Sequence, residues 1–140
     1  MSGFVGRFEH SLDDKGRLIL PVRFRPEFQG GASLTQHYEG CLALWTPSEF
    51  SRQTREMLDL YREGSTSGRN RARVWSQGAS TLDVDRQGRL VVPATARAFA
   101  NLSGDVLVIG ALDHIEIWDP QRFNERVAPA EDFFNGSDLA

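Results

Sequence analysis

One pattern occurs twice in this chain, and it limits the possible folds more than any other feature. Asp13-Asp14-Lys15-Gly16-Arg17-Leu18-Ile19-Leu20-Pro21 is echoed 72 residues later by Asp85-Arg86-Gln87-Gly88-Arg89-Leu90-Val91-Val92-Pro93. Both runs continue to an arginine at the matching place, Arg25 and Arg97. A second pair follows at an offset of 73: Leu42-Ala43-Leu44-Trp45-Thr46-Pro47-Ser48-Glu49-Phe50 and Ile115-Glu116-Ile117-Trp118-Asp119-Pro120-Gln121-Arg122-Phe123. Two different motifs repeated in the same order mark a tandem duplication with one residue gained or lost between them. The 140 residues therefore divide into a first repeat over 5–50, a helical connector over 51–76, a second repeat over 77–124 and a terminal part over 125–140.

Each copy has the same local grammar. Asp at the first and Gly at the fourth position of Asp-x-x-Gly suit a type I turn, with Gly accepting the positive φ of the bulge that follows. The flanking apolar and β-branched residues predict a hairpin, Val5 to Leu12 against Leu18 to Leu20, stopped by Pro21, which has no N–H to donate. In the second copy the same device runs from Leu82–Val84 to Leu90–Val92 and Pro93. Short helical segments follow at Val22–Phe28 and Ala94–Leu102. Extended pairs then span Ser33–Trp45, with Gly40 in the turn, and Val106–Trp118. Ile115 and Ile117 alternate with polar neighbours as a half-buried strand does.

Thr46-Pro47-Ser48-Glu49 joins an N-cap, a proline at the first helical position and a capping-box Glu, and Asp119-Pro120 repeats the cap and the proline. The first of these helices should run to about Arg62 and end at Gly64, with Phe50, Met57, Leu58 and Tyr61 on its apolar face. Gly64–Gly68 reads as a Ser/Gly-rich break before the basic connector Arg69, Arg71 and Arg73. The segment from Val127 has three carboxylates and no base, and a frayed tail is expected.

Composition serves mainly to exclude. An apolar fraction of 40% and a charged fraction of 25% are ordinary for a globular chain. The single cysteine, Cys41, rules out an internal disulfide framework and a multi-Cys zinc site, and His10, His37 and His114 have no short ligand spacing. Neither a metal nor a cofactor is expected. The longest apolar run, Val106–Leu112, is far short of the ~20 residues of a membrane-spanning helix, and Met1–His10 lacks the pattern of a signal peptide. An intracellular protein without membrane contact is the expectation. No nucleophile elbow, phosphate loop or H-E-x-x-H pattern occurs, and nothing calls for catalysis.

Turn geometry accounts for Asp13, Gly16, Asp85 and Gly88, but not for Arg17 and Arg89, since many residues could begin those strands. An arginine braced by Asp and presented on a small rigid turn suits phosphate or guanine recognition. Lys15 and Arg86 lie within the turns, and Arg7 and Arg23 are close in sequence. Residues 1–25 hold five bases against three acids, a small surplus in a chain of net charge −3. Several copies acting together are needed for useful affinity. Trp45, Trp118, Phe50 and Phe123 suit packing or contact between subunits better than ligand stacking. Arg69, Arg71 and Arg73 can be a solvated linker or a nucleic-acid contact, the linker being the commoner case.

The paired D-x-x-G-R-L-φ-φ-P motifs, followed by Val108-Ile109-Gly110-Ala111-Leu112-Asp113-His114-Ile115-Glu116-Ile117-Trp118, resemble the MraZ family of the SpoVT-AbrB, swapped-hairpin superfamily. The resemblance covers about residues 3–127. It implies an α+β fold in which two tandem AbrB-like β-barrel repeats exchange hairpins to form one pseudo-two-fold unit with flanking helices. It further implies a repressor of the bacterial division and cell wall gene cluster, active in the cytoplasm at the nucleoid. Such a regulator would bind direct repeats in duplex DNA as a ring-shaped homo-oligomer, an octamer or larger. Asp13 to Arg17 and Asp85 to Arg89 would carry the contact on that resemblance, and the nearby bases Lys15, Arg86, Arg23 and Arg7 would assist on the reading of the residues above. The second turn has Arg86-Gln87 where the first has Asp14-Lys15. A different reading is an antitoxin-like or scaffold module whose arginines meet an acidic protein.

Overall fold

The two halves of the chain exchange strands. The structure, a computed structural model, describes residues 3–136. The first repeat supplies β1 (Phe4–Ser11), β2 (Arg17–Ile19), β3 (Ala32–Gln36) and β4 (Leu42–Trp45). The second supplies β5 (Ser80–Leu82), β6 (Arg89–Val91), β7 (Asp105–Leu112) and β8 (Ile115–Trp118). The main sheet has the order β1-β7-β8-β4-β3-β5, while β2 and β6 form a separate two-stranded ribbon. Exchanging the repeats reproduces the same order read backwards. The architecture is α+β, two tandem swapped-hairpin repeats closed into one pseudo-two-fold unit.

The predicted hairpins form their turns but not their ladders. Asp13 N–H donates to the Arg17 carbonyl at 3.1 Å and Gly16 N–H to the Asp13 carbonyl at 3.0 Å. Beyond the turn, β1 leaves to pair antiparallel with β7, and β2 pairs with β6, Leu18 opposite Leu90. Leu20 N–H reaches the Gly88 carbonyl at 2.8 Å and Val92 N–H the Gly16 carbonyl at 2.9 Å, so each strand exit is tied to the other repeat's turn. The exchange buries Leu18, Leu20, Leu90 and Val92 completely or nearly so. A three-residue strand stopped by proline cannot bury that much against its own repeat.

The barrel core continues through Phe4, which stacks on Phe28 at 5.5 Å and meets Phe24 edge-on at 5.3 Å. Phe24 and Phe28 lie in a 3₁₀ segment, Val22–Phe28, that contains Pro26. Its counterpart is a true helix, α3 (Ala94–Ala100), closed two residues before the expected end by Asn101 in the left-handed region. Leu42, Leu44, Ile115 and Ile117 face the core from the two central strands. The alternate residues Trp45 and Trp118 therefore occupy the opposite face of the sheet, where the following helices pack. Trp118 meets Phe123 there at 5.5 Å, beside Cys41 and Leu107. Burial pushes the Cys41 thiol pKa up, consistent with a strand-end packing residue.

The connector holds α1 (Pro47–Arg62) and α2 (Thr66–Gln77), and the second repeat is followed by α4 (Pro120–Arg126) and α5 (Ala128–Phe134). Thr46 and Asp119 cap α1 and α4 as their sequences predict. The capping box is only half formed, because the Glu49 carboxylate turns to Arg52 at 3.4 Å. Two expectations are corrected, the extent of the break and the frayed segment after Val127. The break shrinks to Glu63, Gly64 and Ser65: Ser65 caps α2 through Gly68 N–H at 2.9 Å, and Gly68 lies within the helix. A Cβ on Gly68 would stand 3.0 Å from the Leu60 carbonyl oxygen, so glycine lets the helices approach. The apolar face of α1 packs on α2, with Phe50 stacked on Trp75 at 5.4 Å and Leu58 and Tyr61 left part-exposed. The segment after Val127 is helical through Phe134; the expected fraying at Asp138 falls outside the described residues.

Candidate nucleic-acid interface

The two Asp-x-x-Gly-Arg turns have nearly the same internal geometry. Asp13 Oδ1 accepts the backbone N–H groups of Lys15 and Arg17, each at 2.9 Å, while Oδ2 accepts Arg17 Nε–H at 2.5 Å. Asp85 repeats this with Gln87 and Arg89, both backbone bonds at 2.9 Å and the Nε bond at 2.8 Å. Gly16 and Gly88 sit at φ values of 76° and 79°, where a side chain would be strained. The backbone N–H of Arg17 holds the Asp13 carboxyl below the usual carboxylate range, helped by the guanidinium and by Lys15 N–H. Arg89 does the same for Asp85. Each carboxylate grips one edge of its arginine and leaves the terminal guanidinium nitrogens directed elsewhere, a fork available to an outside acceptor.

The ribbon fixes where those forks point. Its register places Arg17 opposite Val91 and Ile19 opposite Arg89, so these four side chains share one face. Leu18 and Leu90 occupy the inner face and are buried. Ile19 is 46% and Val91 52% exposed, so the outer face is open. Arg17 and Arg89 are diagonal neighbours on it, with Cα atoms about 7–8 Å apart by sheet geometry.

Two further arginines join this site, and the sequence reading left them out. Arg97 lies against the first turn, where a Cβ on Gly16 would meet its guanidinium at 2.9 Å, and Arg25 lies against Gly88 in the second. Arg25 Nε–H donates to the Leu20 carbonyl and Arg97 Nε–H to the Val92 carbonyl, both at 3.0 Å. Their matching positions in the two repeats were the available signal. Lys15 and Arg86 are exposed at the turn tips. These six cations surround Asp13, Asp14 and Asp85, a local positive surplus on a chain that is negative overall.

This doubled, strand-exchanged geometry agrees with what the chain resembles. The family model for the MraZ protein matches residues 4–69 and again 76–138. The transcriptional regulator MraZ of an Arthrobacter species is 40% identical over 137 residues, covering 98% of this chain and 96% of that one. That of Micrococcus luteus is 40% identical, covering 96% and 94%. A more distant one, from a Roseiflexus species, is 37% identical and covers 86% and 83%. The chain belongs to the MraZ family.

Two bases expected to assist because they are close to the first turn in sequence make their contacts elsewhere. Arg7 sits over the Phe123 ring at 5.2 Å and within 3.9 Å of Glu131 in α5. Arg23 lies over Phe8 at 6.0 Å. For Arg7 the reason is that β1 runs away from its own turn to join β7, whereas Arg23 lies in the 3₁₀ segment that follows β2. Among the described residues no group of three or more His, Cys, Asp or Glu side chains could hold a metal ion. No helix among them is long and apolar enough to cross a membrane.

On the far side of the sheet, His114 stacks on Trp45 at 4.5 Å. Its Nδ1 meets Asp113 at 2.7 Å and its Nε2 meets Glu116 at 3.0 Å. Burial pulls the imidazole pKa down, but the hydrogen bonds to Glu116 and Asp113 outweigh it and hold the pKa above the ordinary value. Glu116 is opposed by burial yet held low by His114 and by Trp118 Nε1–H at 2.9 Å. A folded-state pKa above the unfolded one contributes stability that is complete below about pH 6.5 and fades as pH rises through the folded value. Urea unfolding from about pH 6 to pH 9 should show the natural chain losing more stability than His114→Gln. Equal slopes would exclude the imidazolium as the cause.

Proposed function

We propose that this MraZ-family chain regulates transcription by gripping duplex DNA with the outer face of its β2–β6 ribbon. The observation that carries this reading is the presence of Arg17 and Arg89, each braced by an aspartate, on one open face. A two-stranded ribbon is narrow enough for the major groove, where arginine forks suit guanine edges and Ile19 or Val91 suits a thymine methyl. Arg25, Arg97, Lys15 and Arg86, gathered at the two turns, would meet phosphates. The chemistry is binding, without catalysis, metal or cofactor. The names of the relatives, transcriptional regulators, support the same class.

One ribbon on a chain of net charge −3 binds a single site weakly. A homo-oligomeric ring carrying ribbons at fixed spacing gains effective concentration, which can raise avidity by ~10²–10⁴ when DNA repeats match the spacing. Direct repeats upstream of the division and cell wall gene cluster, bound by a nucleoid-associated repressor, are the operator this reading assigns.

Fluorescence anisotropy with duplex DNA from upstream of the chain's own reading frame tests it. If each ribbon neutralises about four phosphates, affinity should fall ~10²-fold between 50 and 200 mM salt, since released counterions set the slope. A flat salt response contradicts the reading. Retention of a stoichiometric acidic protein with no DNA would replace it with the interaction-module reading.

A further inference from the structure

The two repeats support their turns differently, and the difference opens a cleft beside the second one. The first turn has Arg97 of the helix α3 against it, and Leu12, which leads into it, is buried. The second has Arg25 of the Val22–Phe28 segment against it, where Pro26 takes the place of Ala98 in α3. Proline fits poorly inside an α-helix, and this segment winds as a 3₁₀ helix. Val84, the counterpart of Leu12, is only half-buried. Between the segment and the second turn lies a cleft of about 510 Å³. Val22, Pro26, Phe28 and Val84 give it apolar walls, and Arg25 and Arg86 stand beside them. Phe28 is fully buried, whereas Val22 is 71% exposed. Asp85 also borders the cleft, but both its oxygens are engaged within its own turn. Arg25 uses only its Nε–H, on the Leu20 carbonyl. Its terminal nitrogens and those of Arg86 have no hydrogen-bond or ion-pair partner among the described residues.

We propose that this cleft binds a soluble phosphate monoester with an apolar body, and that the bound ester competes with DNA for Arg25 and Arg86. The volume is that of a small-molecule site, and the apolar walls suit an alkyl or aryl body. Two unpaired guanidinium groups suit a head with nearly two negative charges and three acceptor oxygens. A neutral apolar ligand leaves both cations unanswered, and bare phosphate leaves the apolar walls wet. The competition rests on the ribbon reading, in which the same arginines meet DNA phosphates; the binding itself does not. In the other repeat, Ala94, Ala98 and Ala100 stand where this one has Val22, Pro26 and Phe28. The ester would therefore act on one end of the ribbon.

Isothermal titration calorimetry on the full chain, without DNA, tests the site with butyl, hexyl and octyl phosphate below their micelle thresholds. Affinity should rise at least ~4-fold for each added pair of carbons. Inorganic phosphate and octanol should each bind at least ~10-fold more weakly than octyl phosphate. Val22→Glu places a carboxylate at the mouth and should weaken octyl phosphate ~10-fold. Ala94→Glu, its counterpart in the other repeat, should not. Both positions are exposed, so circular dichroism should be unchanged. Arg86→Ala should narrow the preference for octyl phosphate over octanol. In an anisotropy titration of duplex DNA, octyl phosphate should weaken binding, and inorganic phosphate at equal ionic strength should not. Affinity independent of chain length, or equal losses in the two Glu variants, would overturn the site. Capture of the chain by phosphatidate vesicles with no binding of the soluble esters would overturn it too, making the ligand a membrane lipid. Esters that bind without displacing DNA would overturn the competition alone. The calorimetry contains no DNA, so failure of the ribbon reading leaves the site standing, and failure of the esters to bind leaves the ribbon reading standing.

Discussion

Replacing Arg17 and Arg89 together with alanine should abolish specific DNA binding while leaving the fold and the assembly intact. A bidentate arginine–base contact discriminates by about 1–3 kcal/mol, so losing two costs roughly 30- to 10⁴-fold per ribbon. Multivalent attachment compounds that loss across an assembly. Both side chains lie on the outer face, where Ile19 and Val91 are already half-exposed, so circular dichroism and thermal unfolding should change little. Arg17→Lys should recover phosphate contact without the fork, giving weak binding of reduced sequence preference. Asp13→Asn tests the brace itself: Arg17 keeps its charge but loses the carboxylate that aims it. Affinity should fall less than for Arg17→Ala. Normal operator binding by the Arg17/Arg89 double variant in an anisotropy titration would end the ribbon proposal.

The largest stability effect is expected on the inner face of the same ribbon. Leu18 and Leu90 pair directly across the two repeats and are essentially inaccessible. Leu18→Ala should cost about 2–5 kcal/mol, the lost transfer energy plus a cavity the barrel cannot collapse. For a domain of this size that corresponds to a fall in Tm of roughly 10 °C or more. Because β2 and β6 belong to different halves, unfolding should remain a single transition. Two separated transitions in calorimetry would mean the repeats are held together elsewhere.

Much of this fold is legible in the residues. The 72-residue echo gives two copies, and the caps at Thr46 and Asp119 start helices where expected. The Asp-x-x-Gly turns close as their side chains require. Which strand each one pairs with is not written locally. Leu18–Leu20 carries the same alternation whether it meets Val5–Leu12 or Leu90–Val92, and only the burial gained in the barrel decides. That choice also explains the site. Arg7 and Arg23 are neighbours of the turn in sequence, but β1 carries Arg7 to α5 and Arg23 lies over Phe8. Arg25 and Arg97 matter because exchange folds each over the other repeat's glycine. The apolar stripe of α1 signals a helix correctly but not its partner, which is α2.

Covalent duplication also frees the two turns to diverge. In an assembly of single-repeat chains both halves of the ribbon are necessarily the same, and the sequence it prefers reads alike on either strand. Here Asp14-Lys15 faces one end of the ribbon and Arg86-Gln87 the other. A ribbon with unlike ends has a front and a back, so any DNA segment gripped as proposed would acquire a polarity that no palindrome can satisfy.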